Sequence, residues 1–128
     1  MSFEALDRQP YLSLRTFRRD GRGVDTPVWF GRDGDALFVF TAPDAGKVKR
    51  LRNSARAQVA VCNVSGGVRG PWADASAKLV DDAALAAQAH RVLQKKYGWQ
   101  LRLTDLLSRL AGRIDQRRWI RITAADDR

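Results

Sequence analysis

The chain has 128 residues, 45% of them hydrophobic and 29% charged, and carries a formal net charge of +9. That length suits a single domain spanning 1–128 with its own core. The basic excess asks for an anionic partner, either nucleic acid or a phosphorylated cofactor. One cysteine excludes an internal disulfide and a cysteine-based zinc site, one histidine leaves little room for a His-ligated metal centre or a His-centred triad, and no apolar run approaches the ~20 residues that span a bilayer.

The opening MSFEALDRQPY lacks the basic start and apolar run of a secretory signal, so a cytoplasmic location is expected. Residues 11–18 alternate Leu12, Leu14 and Thr16 against Tyr11, Ser13, Arg15 and Phe17, the period of a strand. DGRG at 20–23 is a hairpin signal, and residues 24–32 form a second strand rich in β-branched and aromatic side chains. Pro27 cannot donate to a ladder, which puts that strand at an edge or a bulge. After a tight turn at 33–35, residues 36–42 form a third strand, apolar on both faces. Residues 47–53 read as a short helix with Val48 and Leu51 on one side, and 56–64 as a fourth strand. A breaker-rich loop, SGGVRGP, leads to a fifth strand at 72–80.

From residue 81 the pattern becomes helical. Asp81 or Asp82 can cap a helix that Lys95, Lys96 and Gly98 close, and a second amphipathic helix covers 103–113. Residues 118–123 alternate again as a sixth strand. Short strands on hairpin-length turns, then two helices and a last strand, predict a mainly β protein with helices: an antiparallel six-stranded barrel of Greek-key type. An open α+β sheet is the alternative, disfavoured because the third strand is apolar on both sides.

The basic residues Lys47, Lys49, Arg50, Arg52 and Arg56 crowd ten positions without an acid. On a helix Lys47 and Arg50 project about 60° apart and can close on one object, whereas Lys49 points away. Cations in a first helical turn oppose the helix dipole, unless an anion binds there with Gly46 allowing close backbone approach and Thr41 adding a hydroxyl. The residues alone leave open a phosphate site and a solvated basic face. Elsewhere the plain readings prevail. His90 is a structural histidine and Cys62 a packing residue; most of Trp29, Trp72, Trp99 and Trp119 are core or dimer contacts, with one or two left to wall a planar ring. The leucines between 101 and 110 serve core or dimer packing rather than a membrane anchor. No helix-turn-helix or aromatic-plus-basic RNA sheet accompanies the charge, so nucleic acid is disfavoured.

The ordered segments DTPVWFG, DGDALFVFTAPDAGKVKRLRNSARAQVAVCNV and GPWADASAKLVDD resemble the pyridoxamine 5'-phosphate oxidase-like split β-barrel superfamily. Within it they are most similar to the branch of actinobacterial deazaflavin (F420)-dependent reductases. The resemblance runs from about Tyr11 to Thr123. It implies an FMN-binding-type split barrel, a short phosphate-site helix with two C-terminal helices, and a homodimer with cofactor sites at the interface. By the same resemblance Lys47 would hold the cofactor phosphate, helped by Thr41, Gly46 and Arg50. Thr26, Pro27, Val28 and Trp29 would run along the tricyclic ring through backbone groups, and the loop with Arg69, Pro71 and Trp72 would reach in from the partner subunit. The implied activity is hydride transfer between reduced F420 and an unsaturated small molecule, without catalytic side chains or a metal. FMN, or a non-catalytic flavin- or F420-binding role, is the alternative. One departure is local: the family's helix-ending Asn-Pro or Asp-Pro is here Asn53-Ser54-Ala55.

Overall fold

A computed structural model describes residues 3–41, 45–110 and 117–125. After a short 3-10 turn at Glu4–Leu6, the chain forms β1 (Leu12–Phe17), β2 (Gly23–Val28), β3 (Gly31–Asp33) and β4 (Ala36–Thr41). Helix α1 (Gly46–Asn53) precedes β5 (Arg56–Val61) and β6 (Ala73–Leu79). Helices α2 (Ala83–Tyr97) and α3 (Trp99–Leu110) then lead to β7 (Arg118–Ala124). The end of the expected third strand at Ala42, the turn at 43–44 and the end of the second amphipathic helix at 111–113 lie outside the described residues.

All pairings are antiparallel, in one seven-stranded sheet ordered β2-β1-β5-β6-β7-β4-β3. The two edge strands are consecutive in sequence and separated only by Trp29 and Phe30. So short a link forces the sheet to curl until its edges approach, which makes it a half-barrel rather than an open sheet.

The strand count corrects the sequence reading, which ran residues 24–32 as one strand. The break has a physical cause in Tyr97, whose ring stacks on Trp29 with centroids 4.5 Å apart. Its hydroxyl accepts from the Phe30 N–H at 2.9 Å and lies 3.0 Å from the carbonyl oxygens of both Pro10 and Phe30. Phe30 turns fully inside. A backbone unit so engaged is lost to the ladder, and the chain crosses from one edge to the other there. Burial pushes the Tyr97 phenol up to about 12, against the pull of its bond from Phe30.

Strand β4 is apolar on both faces because it serves two cores. Leu37 and Val39 face the barrel interior with Leu12, Leu14, Val59, Ile120 and Ile122. Ala36 and Phe38 face Ala89, Leu93, Tyr97 and Leu101 of the helices, with Trp119 beside them. Asp82 caps α2 as expected, accepting from the Ala84 N–H at 2.8 Å. Gly98, at φ 57°, turns the chain into α3 four residues earlier than the sequence pattern indicated. Gly31 lets α2 approach β3: a Cβ there would stand 2.6 Å from Val92 Cγ1.

Candidate functional site

Helix α1 starts without help from its own sequence. Its N-cap is Ala45, which makes no side-chain cap, and no acid lies in its first turn. Val48 and Leu51 bury one side against the sheet. Arg50 bends back along the helix until its guanidinium lies over Gly46, where a Cβ would stand 2.7 Å from Nη1. Any larger residue at 46 would displace that guanidinium, so the glycine is a cradle for the cation. Arg50 Nε donates to Thr16 Oγ1 at 2.5 Å. Thr16 sits on the inward face of β1 and is fully buried, so Arg50 is also the partner that satisfies a core hydroxyl.

Burial pulls the Lys47 amine below its ordinary pKa, and the charge of Arg50 adds to the effect. Arg50 is shifted down in the same way, first by burial and then by Arg18. The charge of Arg50 thus bears on Lys47, and that of Arg18 on Arg50. Among the described residues no carboxylate pairs with any of them. Lys47 and Arg50, partly desolvated and without an ion-pair partner among the described residues, at a helix N-terminus that no side chain caps, form an anion-binding arrangement, whereas Arg18 is exposed and also acts on Asp20. Thr41 ends β4 just upstream and is buried. The residues present fit a phosphate group.

The other expected residues are distributed more widely. Strand β2 is an edge strand, as Pro27 required. Thr26 pairs with Leu14 and so shares the inward face with Thr16, half-buried on the side of the cations. Val28 belongs to the barrel core, and Pro27 faces the opposite side, opposite Ser13. Trp29 is drawn away to Tyr97. Trp72 lies on the outward face beneath the Arg15 guanidinium, 3.8 Å from ring centroid to Cζ. Within one chain it is not brought to Lys47. Sequence reasoning missed Thr16 and Arg18; the available signal was a threonine at a core position of an alternating strand, two residues before an arginine at the strand's end.

A profile of the pyridoxamine 5'-phosphate oxidase family matches residues 3–126. The chain belongs to that family. Solved structures share its fold at low identity. HutZ, the haem storage protein of Vibrio cholerae, superposes with a TM-score of 0.72 at 16% identity, over 98% of this chain and 92% of that one. An FAD-binding protein of Mesorhizobium loti gives 0.63 at 18%, over 94% and 83%. A protein described as an F420 reductase gives 0.58 at 15%, over 98% and 95%. No curated protein matches the sequence significantly. At these identities the structural likeness speaks for the split-barrel fold alone, which is shared by a protein named for haem storage and one named for FAD binding.

Proposed function

We propose that this protein is an F420-dependent oxidoreductase of the pyridoxamine 5'-phosphate oxidase family, acting on an unsaturated small molecule. The observation that carries the reading is the pair of partly buried cations, Lys47 and Arg50, at the start of α1, with which no carboxylate among the described residues pairs. Lys47 and Arg50 hold the cofactor phosphate together with the backbone at Gly46, and Thr41 adds its hydroxyl. Thr16 fixes the Arg50 guanidinium so that its planar fork is oriented before the ligand arrives. The free edge of β2 offers backbone groups at Thr26, Pro27 and Val28 to the ring system, and the link that follows it offers those of Trp29. Lys49 and Arg52, both exposed on the same short helix, suit an acidic tail beyond the phosphate. That favours a polyanionic deazaflavin over FMN. Trp72 completes the site from the partner subunit of a homodimer.

Bound reduced F420 supplies the hydride; the chain's residues bind, align and shield. Among the described residues no cluster of metal-ligating side chains occurs. The family resemblance of the F420 reductase structure supports the cofactor choice, and the flavin and haem relatives define the alternatives: an FMN enzyme or a non-catalytic binding protein. Titration decides between them. F420 fluorescence should be quenched saturably by the protein, and reduced F420 should be oxidised in the presence of an acceptor drawn from a panel of enones and quinones. Tight FMN binding with no response to F420 would overturn the cofactor assignment. F420 binding without turnover on any acceptor would favour the carrier reading.

A further inference from the structure

Helix α3 presents large apolar side chains to solvent on the face turned away from the protein. Trp99, Leu103, Leu106, Leu107 and Leu110 are 72%, 49%, 53%, 59% and 78% exposed, whereas Leu101 on the other side is fully buried and anchors the helix to α2. At about 100° per residue those five side chains fall within an arc of roughly 100°, a continuous stripe along three turns. Single exposed leucines are ordinary; a contiguous row of this kind marks a surface that something covers.

The charges around the stripe indicate what that is. Arg102 and Arg109 are exposed along one border, and Gln100 and Thr104 occupy the other. The only carboxylate of the helix, Asp105, is turned inward and held by His90 at 2.8 Å and Arg117 at 2.9 Å. The exposed part of α3 thus carries cations and neutral groups but no carboxylate. The whole chain carries +9. A second copy is a poor complement. Antiparallel pairing of two α3 helices sets the arginine border of one against the arginine border of the other, and parallel pairing sets it against Gln100 and Thr104. Neither arrangement supplies an acid. An anionic lipid surface supplies phosphates for the arginines and an acyl boundary for the leucines, with the amphipathic indole of Trp99 at the interface between them.

We propose that α3 docks this protein in the plane of an anionic bilayer surface, with its leucine stripe at the acyl boundary and Arg102 and Arg109 at the headgroup phosphates. Among the described residues no helix is long and apolar enough to cross a membrane, so the association is peripheral. The site is separate from the cations of α1.

The test uses the full chain, sedimented with vesicles of phosphatidylcholine alone or mixed with phosphatidylglycerol, at low and high salt. Partition onto the anionic vesicles should exceed that onto neutral ones by about tenfold or more, weaken with salt and shift tryptophan emission to the blue. L106Q/L110Q and R102E/R109E should each lower it by about tenfold or more while leaving circular dichroism and cofactor binding unchanged. These positions are exposed, so folding is preserved. Absence of sedimentation overturns the proposal, as does equal partition onto both vesicle types or partition indifferent to L106Q/L110Q. A vesicle-free dimer that L106Q/L110Q dissociates, seen by light scattering, also overturns it, by assigning the stripe to a second copy.

Discussion

Two groups of partly buried cations in this molecule are treated in opposite ways. Between the helices, the Arg117 guanidinium is answered by Asp105, which the His90 ring also contacts, and the side chains of Arg117 and Asp105 are 7% and 10% exposed. Ser108 takes a further bond from Arg117, at 3.3 Å, and the Arg117 guanidinium lies over the Phe40 ring. Every charge there has an internal answer, and the cluster ties α2, α3 and the approach to β7 together. At the start of α1, Lys47 and Arg50 have no carboxylate partner among the described residues. A fold that compensates one set so completely and leaves the other open is using the first for its own cohesion and keeping the second for a ligand.

Breaking the closed cluster should have the largest effect. Asp105→Ala removes the counter-ion of a buried guanidinium and is expected to cost ~3–5 kcal/mol of stability. Urea unfolding at neutral pH measures it; a loss below about 1 kcal/mol would mean that the cluster is solvated. Lys47→Ala should act the other way round. It should weaken cofactor binding by ~1.5–3 kcal/mol, through loss of a charge-assisted bond, while the unfolding midpoint stays level or rises, because a desolvated and repelled cation has been removed. Arg50→Ala is predicted to do both, losing affinity and also leaving the buried Thr16 hydroxyl unsatisfied, at ~1–3 kcal/mol.

Another buried cation sharpens the contrast. Lys96 Nζ is buried without a hydrogen-bond partner, 3.3 Å from the Phe30 ring centroid. Burial draws its pKa down to about 8, although Asp7 opposes the shift. Between about 8 and the ordinary lysine value near 10.5 the unfolded chain therefore binds more protons than the folded one, so this residue's penalty is present below 8 and relieved as pH rises through that window. The raised Tyr97 phenol works oppositely, giving up stability as pH climbs from 10 to about 12. Lys96→Met should gain ~1 kcal/mol at pH 7 and less at pH 10, read from unfolding curves at the two values. An equal gain at both would place the amine in water. The smallest effect belongs to Lys49→Ala: exposed and directed away from Arg50, it should change inorganic phosphate binding by less than ~0.5 kcal/mol.

Much of this was readable beforehand, for identifiable reasons. The period-two alternation of β1 and the double-sided apolar run of β4 follow from a barrel with a second core behind it, and the edge position of β2 follows from Pro27. Lys47 and Arg50 were paired by helical geometry alone. What escaped depended on partners distant in sequence. The strand break at Trp29–Phe30 is made by Tyr97, nearly seventy residues away, at 2.9 Å from the Phe30 nitrogen. Thr16 looked like filler until Arg50 reached it. The leucines of α3 read as core or dimer packing from their spacing, and among them only Leu101 is buried in this chain, because periodicity fixes an apolar face without saying what covers it.

The central claim is that the open cations at α1 hold the phosphate of a deazaflavin cofactor. Side-by-side fluorescence titration of F420 with the parent protein and Lys47→Ala tests it most directly, with unfolding of both proteins as the control. The account predicts saturable quenching by the parent, an affinity lower by about tenfold or more for the variant, and undiminished stability. Equal affinity for F420 in two equally folded proteins would contradict it.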